Sequence, residues 1–310
     1  MIGLLRSELL RARSRRVVMM LVIAVLVAVT LGITIAIFTT KPPTQADIDR
    51  GQRNYERDLA ECLDGGFGRP QQAGYETLEE MCAEYVQPQS YGPTTPRFSE
   101  VEEILMGTAF IVILIGAVIG ATLGGADWSA GSMATLLAWE PRRLRVFAAR
   151  AVAVAITALV ITMIAQLIFV AGLTLFLVVR GTFEGTPDGF LGDLGTTALR
   201  ISGVGAMFGL IGLSLATVGR STVAGLGVLL GYLIIVEGFL SNLLFWVQKI
   251  TFGRSAAVVV TDETLELFDG SVIPPVIYEL TPGRAWATLG VWAVALLVVA
   301  AATFRVRDVT

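Results

Sequence analysis

Long apolar runs constrain this chain more than any other feature of its sequence. Hydrophobic residues make up 54% of its 310 residues, and charged residues make up only 16%. A helix that crosses a bilayer needs about 20 predominantly apolar residues. Six runs meet that need, at residues 17–38, 104–124, 146–179, 196–218, 223–247 and 286–304. The sequence therefore predicts an all-α integral membrane protein with six transmembrane helices.

The distribution of arginine predicts which ends of these helices face the cytoplasm. The N-terminal stretch, the loop at 125–150, the turn at Arg220 and the C-terminal end together hold about half of the 23 basic residues. Loops rich in Lys and Arg stay in the cytoplasm. We therefore expect both termini to be cytoplasmic in a multi-pass protein of the cell (plasma) membrane.

The N-terminal stretch, residues 1–16, predicts a short helix lying along the membrane surface. Its apolar residues, including Leu5, Leu9 and Ala12, share one helical face that arginines border. An orientation signal with no docking role is the alternative. The first span follows at 17–40, and it is longer than the apolar core of a signal peptide and ends without a clear cleavage site, so we expect it to be retained.

The segment between the first two spans, residues 41–103, is acidic, with acids outnumbering bases about two to one. Its amphipathic patterns predict a helical hairpin outside the cell, too small to bury a large core. Thr77 and Glu80 form a candidate capping box. Cys62 and Cys82 fall on the inner faces of the two helices in an oxidising compartment. We expect a disulfide between them, worth about 3 kcal/mol, and two free thiols are the alternative.

The remaining five spans occupy residues 104–310. Gly116, Gly120 and Gly124 repeat every four residues in the second span, which predicts close approach by another helix. Residues 248–283 form a second external segment whose apolar pieces are too short to cross. We expect part of it to be re-entrant, dipping into the outer leaflet.

The loop between the second and third spans is not a simple linker. Apolar residues recur in it at helical spacing between two tryptophans, and Pro141 would end the resulting short helix. The residues that define the segment are Trp128, Ala130, Met133, Ala134, Leu137 and Trp139. An apolar face on a soluble loop predicts a docking site for a partner.

An acid, a Gly-Ser pair, a Leu-Leu pair and a Pro-Arg-Arg triplet follow one another in this loop. They are Asp127, Gly131, Ser132, Leu136, Leu137, Pro141, Arg142 and Arg143. Their order resembles the first cytoplasmic loop of type-2 ATP-binding-cassette (ABC) exporter permeases, in which the loop forms a coupling helix that docks on an ATPase subunit. That family often has Glu and Lys where this chain has Asp127 and Arg150.

The resemblance implies a permease subunit that forms the translocation path for efflux of an amphipathic or lipid-like cargo. It implies an ATPase subunit, a second permease subunit in a homodimer or heterodimer, and membrane lipid as partners. The net charge of −3 argues against nucleic acid. The coupling residues it implies are Asp127, Trp128, Ala130, Gly131, Met133, Ala134, Leu137, Trp139, Pro141, Arg142 and Arg143.

Candidate chemistry within the chain is sparse. It has no His and no phosphate-binding loop, so we expect a transport subunit rather than an enzyme. We expect no metal or cofactor of its own, with ATP and Mg on the partner. The competing hypothesis is a non-transport membrane protein whose acidic ectodomain binds an extracellular partner.

Glu237 is the one acid within a predicted span, where a charge is costly. It could contact cargo or the gate, or it could make a buried hydrogen bond to another helix, and the sequence leaves both interpretations open. Arg200, Gln166 and Asn242 are further candidates for a cargo path.

Overall fold

The structure is a computed structural model that describes residues 2–40, 44–66, 75, 77–91, 97–181, 186–269 and 276–306. The chain divides into two compact units, Met1–Leu31 with Glu100–Leu173 and Pro187–Thr310, and Gly32–Ser99 with Thr174–Thr186. In chain order the helices and strands are α1 (Ile2–Ser14), α2 (Arg16–Thr39), α3 (Gln45–Leu63), α4 (Leu78–Tyr85), α5 (Val101–Ser129), α6 (Met133–Trp139), α7 (Arg143–Arg180), α8 (Phe190–Gly219), α9 (Thr222–Leu243), α10 (Phe245–Gln248), α11 (Phe252–Thr261), β1 (Leu265–Asp269), β2 (Val276–Leu280) and α12 (Pro282–Val306).

Within the described residues, six helices are long and apolar enough to cross a membrane: α2, α5, α7, α8, α9 and α12. This confirms the predicted number of spans and indicates a multi-pass membrane protein. Helices extend into the predicted 125–150 loop from both sides, because α5 continues through Asp127 to Ser129 and α7 begins at Arg143.

Helices α5 and α8 approach each other through glycine. A methyl group at Gly116 would overlap the carbonyl oxygen of Gly205, and a methyl group at Gly120 would overlap that of Gly209. Gly124 continues the contact one turn further along α5. The predicted small-residue face therefore packs within the chain itself, as glycine at every fourth position permits.

A buried apolar cluster joins four helices of the first unit. Its members are Ala12 of α1, Ile115, Ile119 and Leu123 of α5, Val154 and Ala158 of α7, and Leu213 of α8. Because Ala12 belongs to the cluster, α1 is held against the spanning helices and is not an isolated N-terminal helix.

The segment predicted at 248–283 contains a short antiparallel sheet, so the all-α prediction was wrong here. Strands β1 and β2 pair with Leu265 opposite Leu280 and Leu267 opposite Tyr278. The buried Leu267 and Leu280 anchor the sheet. In β1 the buried Leu267 stands between the exposed Glu266 and Phe268, which is the period of a strand. Part of the second apolar piece, before Val276, lies outside the described residues.

The second unit contains the helical hairpin of α3 and α4. A disulfide joins Cys62 to Cys82, with their Cα atoms 5.9 Å apart, which confirms the predicted pairing. Both cysteines are buried with Met81 and Val86 in a small apolar cluster. The Thr77 hydroxyl accepts a hydrogen bond from the backbone N–H of Glu80 (3.1 Å) at the start of α4. Residues 67–74, between the two helices, lie outside the described residues.

Removing this disulfide should lower the free energy of unfolding of the hairpin by about 3 kcal/mol, because the cross-link restricts the unfolded chain between Cys62 and Cys82. We expect a reductant to speed limited proteolysis within residues 45–85 of the wild-type protein. Cys62→Ser should be cut at the faster rate with or without reductant. Thiol labelling of the unreduced, denatured wild-type protein should find no free cysteine, and labelling of both would contradict the bond.

Candidate functional site

The short helix α6 lies between two turns that the sequence sets. Gly131 has a φ of +68°, a left-handed conformation that favours glycine, and it allows the chain to turn after α5. Glu140 has extended backbone with a ψ of 95°, as expected for the residue before Pro141. Helix α6 therefore runs from Met133 to Trp139, slightly later than the spacing predicted.

One face of α6 is covered by the chain itself. Met133 is only 2% exposed and packs in a cluster with Phe147 of α7 and Phe304 of α12. Leu137 packs against the same cluster. The fold itself therefore buries Met133 and partly buries Leu137, so half of the apolar face predicted for docking is already covered within the chain. Of the four residues predicted for that face, only the alanines, Ala130 and Ala134, are exposed.

The opposite face of α6 and the turn after it are exposed. Trp139 is 87% exposed. Residues that come shortly after it in the sequence line an open groove of about 440 Å³, together with Arg305. We call this the arginine groove, and its lining residues are Pro141, Arg142, Arg143, Leu144, Arg145 and Arg305. The Arg143 guanidinium donates a hydrogen bond to the carbonyl oxygen of Arg305 (3.5 Å). Exposed Trp and Arg side chains are enriched at protein–protein interfaces.

A buried charge network surrounds the end of α5. Asp127, only 6% exposed, pairs with Arg15, with Arg150 (Nη2–Oδ2 2.5 Å) and with Arg11 (Nη1–Oδ2 3.5 Å). Glu8, also buried, pairs with Arg11 (3.2 Å) and Arg150 (3.6 Å). The network therefore consists of two carboxylates and three guanidinium groups, and its net charge is +1.

This network ties together parts of the chain that are distant in sequence. Asp127 belongs to α5, Arg150 to α7, and the other three members to α1 and the residue that follows it. Removing one partner of a buried ion pair typically costs about 3–5 kcal/mol, because the remaining charge is left uncompensated. The acid and the base that match the family pattern at Asp127 and Arg150 thus contact each other and not a docking surface.

Trp128 also faces the fold. Its ring meets Phe304 edge to face, with ring centroids 6.0 Å apart. The guanidinium of Arg220 lies 5.1 Å from the centre of its ring. A cation over an aromatic ring contributes about 0.5–2 kcal/mol. Trp128 therefore links the end of α5 to α12 and to the turn between α8 and α9.

The residues predicted for a cargo path do not come together. Gln166 is 1% exposed, and its Nε2 donates hydrogen bonds to the carbonyl oxygen of Ala198 (3.0 Å) and to Ser202 Oγ (2.9 Å). It therefore connects α7 to α8. Arg200 pairs with Asp262 (2.8 Å) at the end of α11. Both side chains thus make contacts that hold helices together.

Glu237 lies in Leu233–Leu240, a π-helical stretch of α9. Such stretches are frequent at functional sites. The Glu237 carboxylate accepts a hydrogen bond from the backbone N–H of Gly253 (2.7 Å) in α11, so it reaches another helix. Asn242 is exposed and donates only to the carbonyl oxygen of Gly238 in its own helix (2.8 Å) among the contacts described.

An apolar cavity of about 220 Å³ lies beside the Glu237 contact. Gly253, the partner of Glu237, is on its wall. Other lining residues are Met106 and Phe110 of α5, Phe208 of α8, Leu233 of α9, and Ala256 and Val260 of α11. A concave apolar site with few polar groups, here Thr261 on its wall and the Glu237 carboxylate nearby, suits a mainly apolar ligand.

No protein-family model matches the chain, and no curated protein matches it. Within the described residues, no group of three acidic or cysteine side chains could hold a metal ion.

Proposed function

We propose that the chain is the membrane-spanning permease subunit of an ABC exporter, driven by a separate ATPase subunit. The observation that supports this most is the division of α6 into two faces. Met133 is held by the spanning helices, whereas Trp139, two residues before the first residue of the arginine groove, is largely exposed. A short helix with one anchored face and one free face can receive a push from a soluble partner and transmit it to the helices that hold it.

The positions of the arginines decide which side of the membrane each helix end faces in this proposal. The ends of the helices that carry the arginine groove would face the cytoplasm of the plasma membrane, with both termini there. Helix α1 would lie along the cytoplasmic leaflet, as expected for a short helix whose apolar face is bordered by arginines. The hairpin would be extracellular, in a compartment where its disulfide persists.

Force transmission would use the contacts around α6. ATP and Mg would bind the ATPase subunit, and its closure would press on Trp139. Met133 would pass the displacement to Phe147 of α7 and Phe304 of α12. The charge network at Asp127 would carry it to α1 and α5. A second permease subunit, identical or related, would complete the translocation path.

The cargo in this proposal is amphipathic or lipid-like. Support comes from the apolar cavity beside Gly253, which would take an apolar portion of the cargo. Glu237 is the polar candidate for sensing it, because its carboxylate holds the backbone of that cavity wall. The contacts of Gln166 and Arg200 favour a structural role for both.

Trp139→Ala should weaken binding of the proposed ATPase subunit by about 2 kcal/mol, or roughly thirtyfold, as truncation of a Trp at the centre of an interface does. Trp246→Ala is the matched control, because Trp246 is also largely exposed, at 61%, but lies in α10. Copurification from detergent and cargo-stimulated ATP hydrolysis measure the effect.

The outcomes separate the two hypotheses. Loss of the ATPase with Trp139→Ala but not with Trp246→Ala supports the docking surface. Equal retention by both variants would reduce α6 to a linker. If the wild-type protein retains no ATPase at all, the transporter proposal fails, and a membrane protein whose acidic hairpin binds an extracellular partner becomes the better hypothesis.

A further inference from the structure

A second open groove, of about 440 Å³, lies between α1, the beginning of α2 and the middle of α7. Its walls are almost entirely aliphatic, formed by Leu9, Val18, Met19, Val22, Ile156 and Val160. Both α2 and α7 are long and apolar enough to cross a membrane. We call it the α1–α7 groove, and it is an apolar depression on the surface of two spanning helices.

Arg13 is the charged residue that lines the groove. Its side chain is exposed, and within the described part of the chain it makes no hydrogen bond or ion pair. Arg11 and Arg15 lie two positions to either side and both pair with Asp127. Residues two apart in a helix do not face each other. One side of α1 thus serves the buried charge network, and the other side presents a guanidinium to the groove.

We infer that the α1–α7 groove binds a phospholipid with an anionic headgroup. The acyl chain lies against Val22 and Val160. Water would find few hydrogen-bond partners on these aliphatic walls, so a hydrocarbon chain suits them better. The headgroup lies on Arg13, close in sequence to the residue at which α2 begins. Basic pockets beside spanning helices bind acidic lipid headgroups. The inference rests on the groove and on the membrane-spanning helices, and it is independent of the ATPase proposal.

Native mass spectrometry of the detergent-purified protein with added phosphatidylglycerol or phosphatidylcholine tests this site. The wild-type protein should bind phosphatidylglycerol in preference to phosphatidylcholine. Arg13→Gln should bind phosphatidylglycerol about fivefold more weakly, and Arg13→Lys should retain the preference. Arg6→Gln is the matched control, because Arg6 is exposed on the same helix but does not line the groove.

Filling the groove provides a second variant. Val160→Trp should reduce binding of both lipids. If this variant unfolds at a lower temperature than the wild type, Met19→Trp on the opposite wall replaces it and should have the same effect. Inorganic phosphate should not displace the bound lipid, because it lacks the acyl chain. Equal weakening by Arg13→Gln and Arg6→Gln would indicate diffuse charge attraction and overturn the site. Unchanged binding after either tryptophan substitution, in a variant that unfolds like the wild type, would overturn it too.

Discussion

Gly120→Ala should lower the free energy of unfolding by about 3 kcal/mol, although it adds only one methyl group. The new Cβ would overlap the carbonyl oxygen of Gly209, which is backbone and cannot rotate away as a side chain would. Relief requires the two helices to separate, and the adjoining contact of Gly116 with Gly205 would then be lost as well. Unfolding of the purified protein in detergent measures the effect.

Gly227→Ala is the control for this prediction. Within the chain, a Cβ at Gly227 meets no atom within 4 Å. The substitution should leave stability unchanged or raise it by up to about 1 kcal/mol through the better helix propensity of alanine. If Gly120→Ala proves as stable as Gly227→Ala, α5 and α8 do not pack through their glycines as described.

Asp127→Asn should destabilise the protein by about 3–5 kcal/mol. The substitution keeps the size of the side chain but raises the charge of the network from +1 to +2, because Glu8 alone then faces Arg11, Arg15 and Arg150. Since Asp127 and Arg150 are buried, solvent compensates little of this excess. We expect a lower unfolding temperature in detergent and faster proteolysis near α1.

A second substitution tests the electrostatic origin of that loss. Asp127→Asn combined with Arg150→Gln returns the network to a charge of +1, so the double variant should be more stable than the sum of the two single losses predicts. Additive losses would mean that Asp127 and Arg150 act independently, contrary to their 2.5 Å contact. Asp127→Glu should be milder than Asp127→Asn, because it keeps the charge.

Local patterns in the sequence predicted the spans and the disulfide. The length of an apolar run decides whether a helix can cross a bilayer, so the number of spanning helices required no knowledge of long-range contacts. The pairing of Cys62 with Cys82 followed from the helical spacing that places both on inner faces of one hairpin. The glycine face of α5 was similarly visible as a repeat of four.

Local sequence patterns could not predict the contacts between segments that are distant in the chain. Helical spacing predicted α6, but the spacing of Met133 and Leu137 is the same whether a partner or Phe304 covers them. The role of Glu8 was missed, although the sole acid among the N-terminal arginines was an available signal. The strands β1 and β2 were missed because short apolar pieces fit a membrane-dipping helix equally well.

A photo-crosslinking side chain placed at position 139 tests the proposed docking surface most directly. Trp139 is 87% exposed, so the substitution leaves the fold intact, and the same side chain at position 246 provides the comparison. After illumination of the membranes, we expect a covalent product between this chain and the ATPase subunit from position 139 and none from position 246. An ATPase product from neither position, or equally from both, would contradict docking at α6.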